Sequence, residues 1–202
     1  MNIPPPIQPE PLVLASESPR RRELLSEAGY RFELALPKLD EPAWVHPHVS
    51  PSVHAESLAY FKARNVAGEH ANKTILAADT IAVIEGEVIG KPADRDDASR
   101  ILRRLSGTAH SVISGVVLLH PASGRRMLQH AISMVRVRQL GEAAIEAYLK
   151  TGKWQGKAGA YGIQDQDDPF VSGVTGSFTN VVGLPMELLG QMFEHWMGQG
   201  GR

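Results

Sequence analysis

The chain has 202 residues, of which 43% are hydrophobic and 21% charged, with a formal net charge of −1. That length can bury one sizeable core, and the near-neutral balance argues against a general nucleic-acid or acidic-membrane surface. The absence of cysteine excludes disulfides, thiolate metal sites and cysteine nucleophiles. No apolar run is long enough to cross a bilayer, so a cytoplasmic protein is expected.

Residues 1–11 are proline-rich and read as a disordered arm. Leu12-Val13-Leu14-Ala15 then reads as a short buried strand. Ser18 offers a helix cap, Pro19 suits the first helical position, Leu24, Leu25 and Ala28 form an apolar face, and Gly29 ends the helix. Arg20, Arg21 and Arg22 crowd the first turn, where the helix dipole favours anions. Either they pair with Glu17, Glu23 and Glu27, or the helix start is built to receive a phosphate group.

Residues 31–36 alternate and read as a second strand. In the loop that follows, Asp40 and Glu41 precede Pro42 as solvated charge or as a metal-ligand pair. Ser50 caps a helix over 51–66, with Leu58, Ala59, Phe61, Ala63 and Val66 on its core side. Lys62 stands among them and either reaches to solvent or points into a charged cleft.

Thr74 to Ile84 is an apolar, β-branched run interrupted by Asp79 and Thr80. A buried carboxylate without a partner costs several kcal/mol or takes up a proton. Asp79 therefore requires a cation, an Arg or Lys partner, or an opening onto a cleft. Glu85-Gly86-Glu87 turns a hairpin into Val88-Ile89, and Lys91, between Gly90 and Pro92, is a fixed cation near the sheet edge. The stretch is not a P-loop, because its spacing is wrong and Pro92 stands where Ser or Thr is needed.

Asp94 to Leu105 reads as an amphipathic helix, His110–His120 with Met127–Val137 as a hairpin, and residues 141–150 as another helix. Residues 152–183 are rich in Gly, Ser, Thr and Asp. Tyr161, Ile163, Phe170, Val174 and Phe178 inside that stretch favour ordered packing over a linker. A last helix starts at Pro185.

Seven motifs occur in order. They are Leu14-Ala15-Ser16-x-Ser18-Pro19-Arg20-Arg21-x-Glu23-Leu24-Leu25, Leu58-Ala59-x-x-Lys62-Ala63, Ala78-Asp79-Thr80, Gly90-Lys91-Pro92, Leu105-Ser106-Gly107-x-x-His110-x-Val112, Lys157-Ala158-Gly159-Ala160-Tyr161-x-Ile163-Gln164 and Asn180-Val181-Val182-Gly183-Leu184-Pro185. From Leu12 to about Leu189 the chain resembles the Maf family of nucleoside triphosphate pyrophosphatases. The resemblance implies an α/β fold with a central mixed β-sheet flanked by helices, two lobes around a cleft (Maf/ITPase-like) over residues 12–198, and a homodimer. It implies divalent-metal-dependent cleavage, with Mg²⁺ or Mn²⁺, of a nucleoside triphosphate to the monophosphate and pyrophosphate. The Lys157 to Gln164 stretch is similar to the branch that acts on dTTP and UTP.

Carried over by position, Ser16, Arg20, Arg21, Lys62 and Lys91 grip the triphosphate, Asp79 is the acidic catalytic residue that serves as proton acceptor, and Glu41 with Asp79 holds the metal. Arg20, Thr80 and Gln164 match positions tied to nucleotide selectivity. The chain departs from the pattern after Gln164, where Asp165 replaces the usual Gly and Asp167 and Asp168 follow. The rival reading is a nucleotide-binding regulator of septum formation and cell division without essential turnover. It needs no metal-positioned carboxylate, so the set Asp79, Lys91, Arg20 and Glu41 favours the enzyme.

Overall fold

The first two crossovers of the chain decide where its cleft lies. The structure, a computed structural model, describes residues 8–38, 49–163 and 170–198. Strand β1 (Leu12–Ala15) leads through helix α1 (Pro19–Glu27) to β2 (Phe32–Ala35), and α2 (Pro51–Val66) leads on to β3 (Ile75–Ile84). β1 lies between β2 and β3 and is parallel to both. The first crossover therefore runs from β1 outward to β2, and the second runs back from β2 past β1 to β3, in the opposite direction along the sheet. Leu25 of α1 packs with Leu12 and Leu14 on one face of the sheet, and Ala59 and Ala63 of α2 pack with Val13 and Ala15 on the other. Helices diverging in this way open a crevice at the carboxyl end of the central strand, which here is Ala15 followed by Ser16.

β3 outruns β1, which covers only Ile75–Ala77 of its edge. Farther along the same edge β4 (Glu87–Ile89) covers Ala82–Ile84. β4 folds back through a turn with positive φ at Glu85 (52°) and Gly86 (83°), the backbone that suits a two-residue hairpin. Among the described residues, Ala78, Asp79, Thr80 and Ile81 have a strand neighbour only on the opposite edge, where β5 (Ala109–His120) runs antiparallel. β6 (Arg125–Val137) and β7 (Val171–Thr175) complete a seven-stranded mixed sheet of order β2-β1-β3-β5-β6-β7, with β4 beside β3.

The cores divide at the same level. On one face, Leu76 and Ala78 pack against α1 and α6 (Met186–Gly198), while Ala82 and Ile84 pack against α3 (Arg95–Leu105) and α4 (Glu142–Lys150). On the other face, Ile75 and Ala77 pack against Ala59 and Ala63, while Ile81 and Val83 pack with Ala55. Asp79 falls in the break on the α2 face and Thr80 in the break on the other. Burying side chains such as Leu189, Met192 and Phe193 of α6 contributes roughly 1.5–3 kcal/mol each. Gly115, opposite Asp79 on β5, brings α2 down onto the sheet. A Cβ there would stand 2.4 Å from the Ala55 carbonyl and the Glu56 nitrogen.

The expected helix over 51–66 forms with those bounds, capped by Ser50, whose Oγ accepts from the Val53 amide at 3.3 Å. Three local expectations change. Phe61, expected on the core side of α2, is half exposed, and Ala55, Leu58, Ala59, Ala63 and Val66 form the buried face instead. Ser18 stands at the N-cap of α1 but its side chain makes no capping bond among the described residues. Instead its own amide donates to Ser16 Oγ at 3.1 Å. The Gly-rich stretch 152–183 packs as expected, yet it also contains β7 and a short helix α5 (Phe178–Val182) that its composition concealed. Of the proline-rich arm, Gln8 is tied to the backbone of Arg31, accepting from its amide at 2.7 Å, and residues 1–7 lie outside the described residues. No described helix is long and apolar enough to cross a membrane.

Candidate active site

A cleft of about 430 Å³ opens over the uncovered part of β3. Its lining includes Ser16, Arg20 and Arg21 from the β1–α1 turn, Lys62 from α2, Asp79 and Thr80 from β3, and Lys91 from the turn after β4. Seven residues expected from sequence to share a site thus share one cavity. Glu41 and Gln164, with Asp165, Asp167 and Asp168, lie outside the described residues.

On the α2 face the chemistry is ionic. Lys62 Nζ donates to Asp79 Oδ1 at 2.5 Å, with side-chain exposures of 12% and 9%. The carboxylate that the sequence left without a reason is an ion-paired group at the edge of a cavity. Its second oxygen, Oδ2, is not part of that ion pair. His54, two turns before Lys62 on α2, is held below the usual imidazole range by burial, against the pull of the Asp79 carboxylate.

On the opposite face the groups are mostly neutral. Arg21, only 9% exposed, donates through Nε to the Gly183 carbonyl at 2.8 Å, through Nη1 to Ser16 Oγ at 3.3 Å and through Nη2 to Thr80 Oγ1 at 3.2 Å. Thr80 Oγ1 shares a hydrogen with Ser114 Oγ at 2.7 Å, and Ser114 Oγ donates to the Asn180 carbonyl at 3.3 Å. Asn180 Nδ2 donates to the Val112 carbonyl and to Ser133 Oγ, both at 3.0 Å. Ser133 Oγ donates to the Ser177 carbonyl at 2.8 Å, and Ser177 Oγ donates to Glu187 at 2.7 Å. Burial pushes Glu187 up, but hydrogen bonds from Ser177, its own amide and Thr179 outweigh it and hold the carboxyl below its usual range. This seam fastens α5 and the Gly183 turn across the sheet beside the cleft. Arg21 enters it as a clamp, three of its donors committed to protein oxygens.

The far wall is built from turns. Gly159 (φ 76°) donates its amide to the Gly90 carbonyl at 3.3 Å, joining the Lys157–Tyr161 turn to the Gly90-Lys91-Pro92 turn. Tyr161 lines the cleft, and its hydroxyl shares a hydrogen bond of 2.8 Å with His110 Nε2 from β5. Burial pushes His110 down to about 4, so the ring is neutral at physiological pH. Reading residue types along the chain missed Lys157, Tyr161, Ser114 and Asn180 as parts of the site. The available signal was the membership of Lys157, Tyr161 and Asn180 in the quoted motifs, with Ser114, outside them, standing as a polar residue in an apolar strand.

Among the described residues, no group of three His, Asp or Glu side chains could hold a metal ion. The family model described as Maf-like protein matches residues 11–196. A dTTP/UTP pyrophosphatase from Ruminiclostridium cellulolyticum is 42% identical over 188 residues, covering 91% of this chain and 94% of that one. One from Anaeromyxobacter sp. is 48% identical over 178 residues, covering 87% and 84%. Among solved structures, a HAM1 protein from Coxiella burnetii superposes with a TM-score of 0.51 at 15% identity, covering 93% of this chain and 98% of that one, which bears out the expected fold. The break in the sheet, the ordered motifs around it and these matches lead to one conclusion: the chain belongs to the Maf-like protein family.

Proposed function

We propose that this cleft hydrolyses dTTP and UTP to the nucleoside monophosphate and pyrophosphate. The observation that carries this reading is Asp79, set in the uncovered part of β3 with cationic side chains of α1, α2 and the Lys91 turn lining one cavity with it. A triphosphate carries about four negative charges, so several fixed cations are needed to hold and neutralise it. Arg20 and Lys91 lie on different walls and bracket the phosphate chain, while Arg21 keeps Ser16 and Thr80 in place. Lys62 fixes one oxygen of Asp79 and so orients the other. That oxygen aligns a water for in-line attack at the α-phosphorus and accepts its proton as pyrophosphate departs. Thr80, Arg20 and Gln164 set the base preference.

A divalent cation fits this donor set. Mg²⁺ uses one or two carboxylates together with substrate phosphates and needs no all-protein cage, and Asp79 supplies one such carboxylate at the cleft. Asp79 with Glu41 would hold Mg²⁺ or Mn²⁺, and the ion would neutralise phosphate oxygens and acidify a water. We further assign a cytoplasmic homodimer. Sedimentation at several concentrations checks the dimer, and a monomer throughout contradicts it.

The test is a nucleotide panel assayed for pyrophosphate, with and without a chelator. Release from dTTP and UTP above the other triphosphates, abolished by chelation, is expected. Release of orthophosphate alone, or no turnover of any triphosphate, overturns the reading.

A further inference from the structure

We infer that Lys157 is a further substrate-binding residue, and that Gly162 is glycine so that the Lys157 ammonium can lie at the cleft wall and grip the phosphate chain. This rests on the triphosphate reading of the cleft. Both residues line the cavity. The backbone at Gly162 is outside the left-handed region, so no conformational demand calls for glycine there. The demand is steric. A Cβ on Gly162 would stand 2.3 Å from Lys157 Nζ, 3.0 Å from Cε and 3.2 Å from Cδ. The lysine side chain is therefore laid along the Gly162 backbone over its outer three atoms.

The base of the side chain is fixed as well. The Gly159 amide ties its turn to Gly90, next to Lys91, and Tyr161 ties it to the neutral His110. Lys157 and Lys91 thus come from two turns bonded to each other and line one cavity, which Arg20, Arg21 and Lys62 line as well. An ammonium is a compact point charge, matched to phosphate oxygens, while Tyr161, Ala82 and Val112 supply a surface for the base.

Four full-length variants test this: Lys157→Gln, Lys157→Arg, Gly162→Ala and the double variant Lys157→Gln/Gly162→Ala. Affinity for inorganic tripolyphosphate and for dTMP is measured by calorimetry, with KM and kcat for dTTP alongside. Lys157→Gln should weaken tripolyphosphate binding and raise KM by about 10-fold, the loss of one charge-assisted contact, with a smaller change in kcat. Lys157→Arg should recover most of it. Gly162→Ala should reproduce the loss at unchanged Tm, because its methyl group displaces only the lysine. The double variant should be no worse than Lys157→Gln. Wild-type tripolyphosphate affinity in Lys157→Gln, additive losses in the double variant, or a loss confined to dTMP overturns the inference. Wild-type enzyme releasing no pyrophosphate refutes the triphosphate reading instead. Turnover by wild type together with an unaffected Lys157→Gln refutes the lysine alone.

Discussion

Helices α1 and α3 have similar lengths, 9 and 11 residues, and opposite electrostatics. α3 follows the local rules. Asp94 caps it, accepting from the Asp97 amide at 2.8 Å, Asp96 and Asp97 lie in the first turn, and Arg103 and Arg104 in the last. α1 breaks them. Its first turn holds Arg20, Arg21 and Arg22 and no acid, and Ser18 makes no side-chain cap among the described residues. The two differ in what their N-termini face. Arg20 and Arg21 of α1 line the cleft, whereas no residue of α3 does. α3 instead supplies Ile101, Leu102 and Leu105 to the core beneath Ala160 and Tyr161. Local consistency is kept where a helix has only to hold the fold, and given up where it has to receive an anion.

The largest expected effect lies on Asp79, which lines the same cleft as Arg20 and Arg21 of α1. Asp79→Asn should lower kcat for dTTP by on the order of 10³-fold with the melting curve retained, a split read by steady-state kinetics and calorimetry together. Arg20→Glu sharpens the contrast most, because its two effects have opposite signs. KM should rise by about 10²-fold, while an acid in the first turn adds about 0.3–1 kcal/mol of helix stability, visible as an unchanged or higher Tm. Loss of both activity and stability would mean that the arginine holds the helix rather than the substrate.

The wall that α3 supports carries a pH dependence. His110 is pushed down to about 4, below its ordinary value near 6.5. Above pH 6.5 it is neutral both folded and unfolded and has no effect. As pH falls from 6.5 to 4 the unfolded chain takes up a proton that the folded chain refuses, so stability declines, by about 3 kcal/mol in full. Denaturant titrations at several pH values should show that decline, and His110→Gln should remove its share of it. The smallest effect belongs to α3 itself. Asp94→Ala should cost about 1 kcal/mol, read from urea unfolding, and leave kcat/KM for dTTP unchanged.

Much of this was legible in the sequence because its causes are local. Periodicity and capping gave α2 the bounds Pro51–Val66, and Asp79 stood out as a carboxylate in a strand of buried apolar residues. The arginines of α1 stood out against the dipole. What stayed hidden depends on register between distant segments. That β1 stops at Ala77 and β4 resumes at Ala82 is invisible until the strands are paired. Ser114, Ser133 and Asn180 look like ordinary strand and loop residues, and only the topology stacks them into one seam. Arg21 reads like its neighbours, yet it alone of the three turns inward to near-complete burial. β7 escaped because Val171–Thr175 is short and contains Gly173, and α5 because a helix of 5 residues shows no periodicity.

The central claim is that the uncovered stretch of β3 places a water against the α-phosphorus of a bound triphosphate. Turnover of dTTP in ¹⁸O-labelled water tests it most directly, with both products weighed by mass spectrometry. The account predicts one labelled oxygen in dTMP and none in pyrophosphate. Label in pyrophosphate, or cleavage to dTDP and orthophosphate, would contradict it.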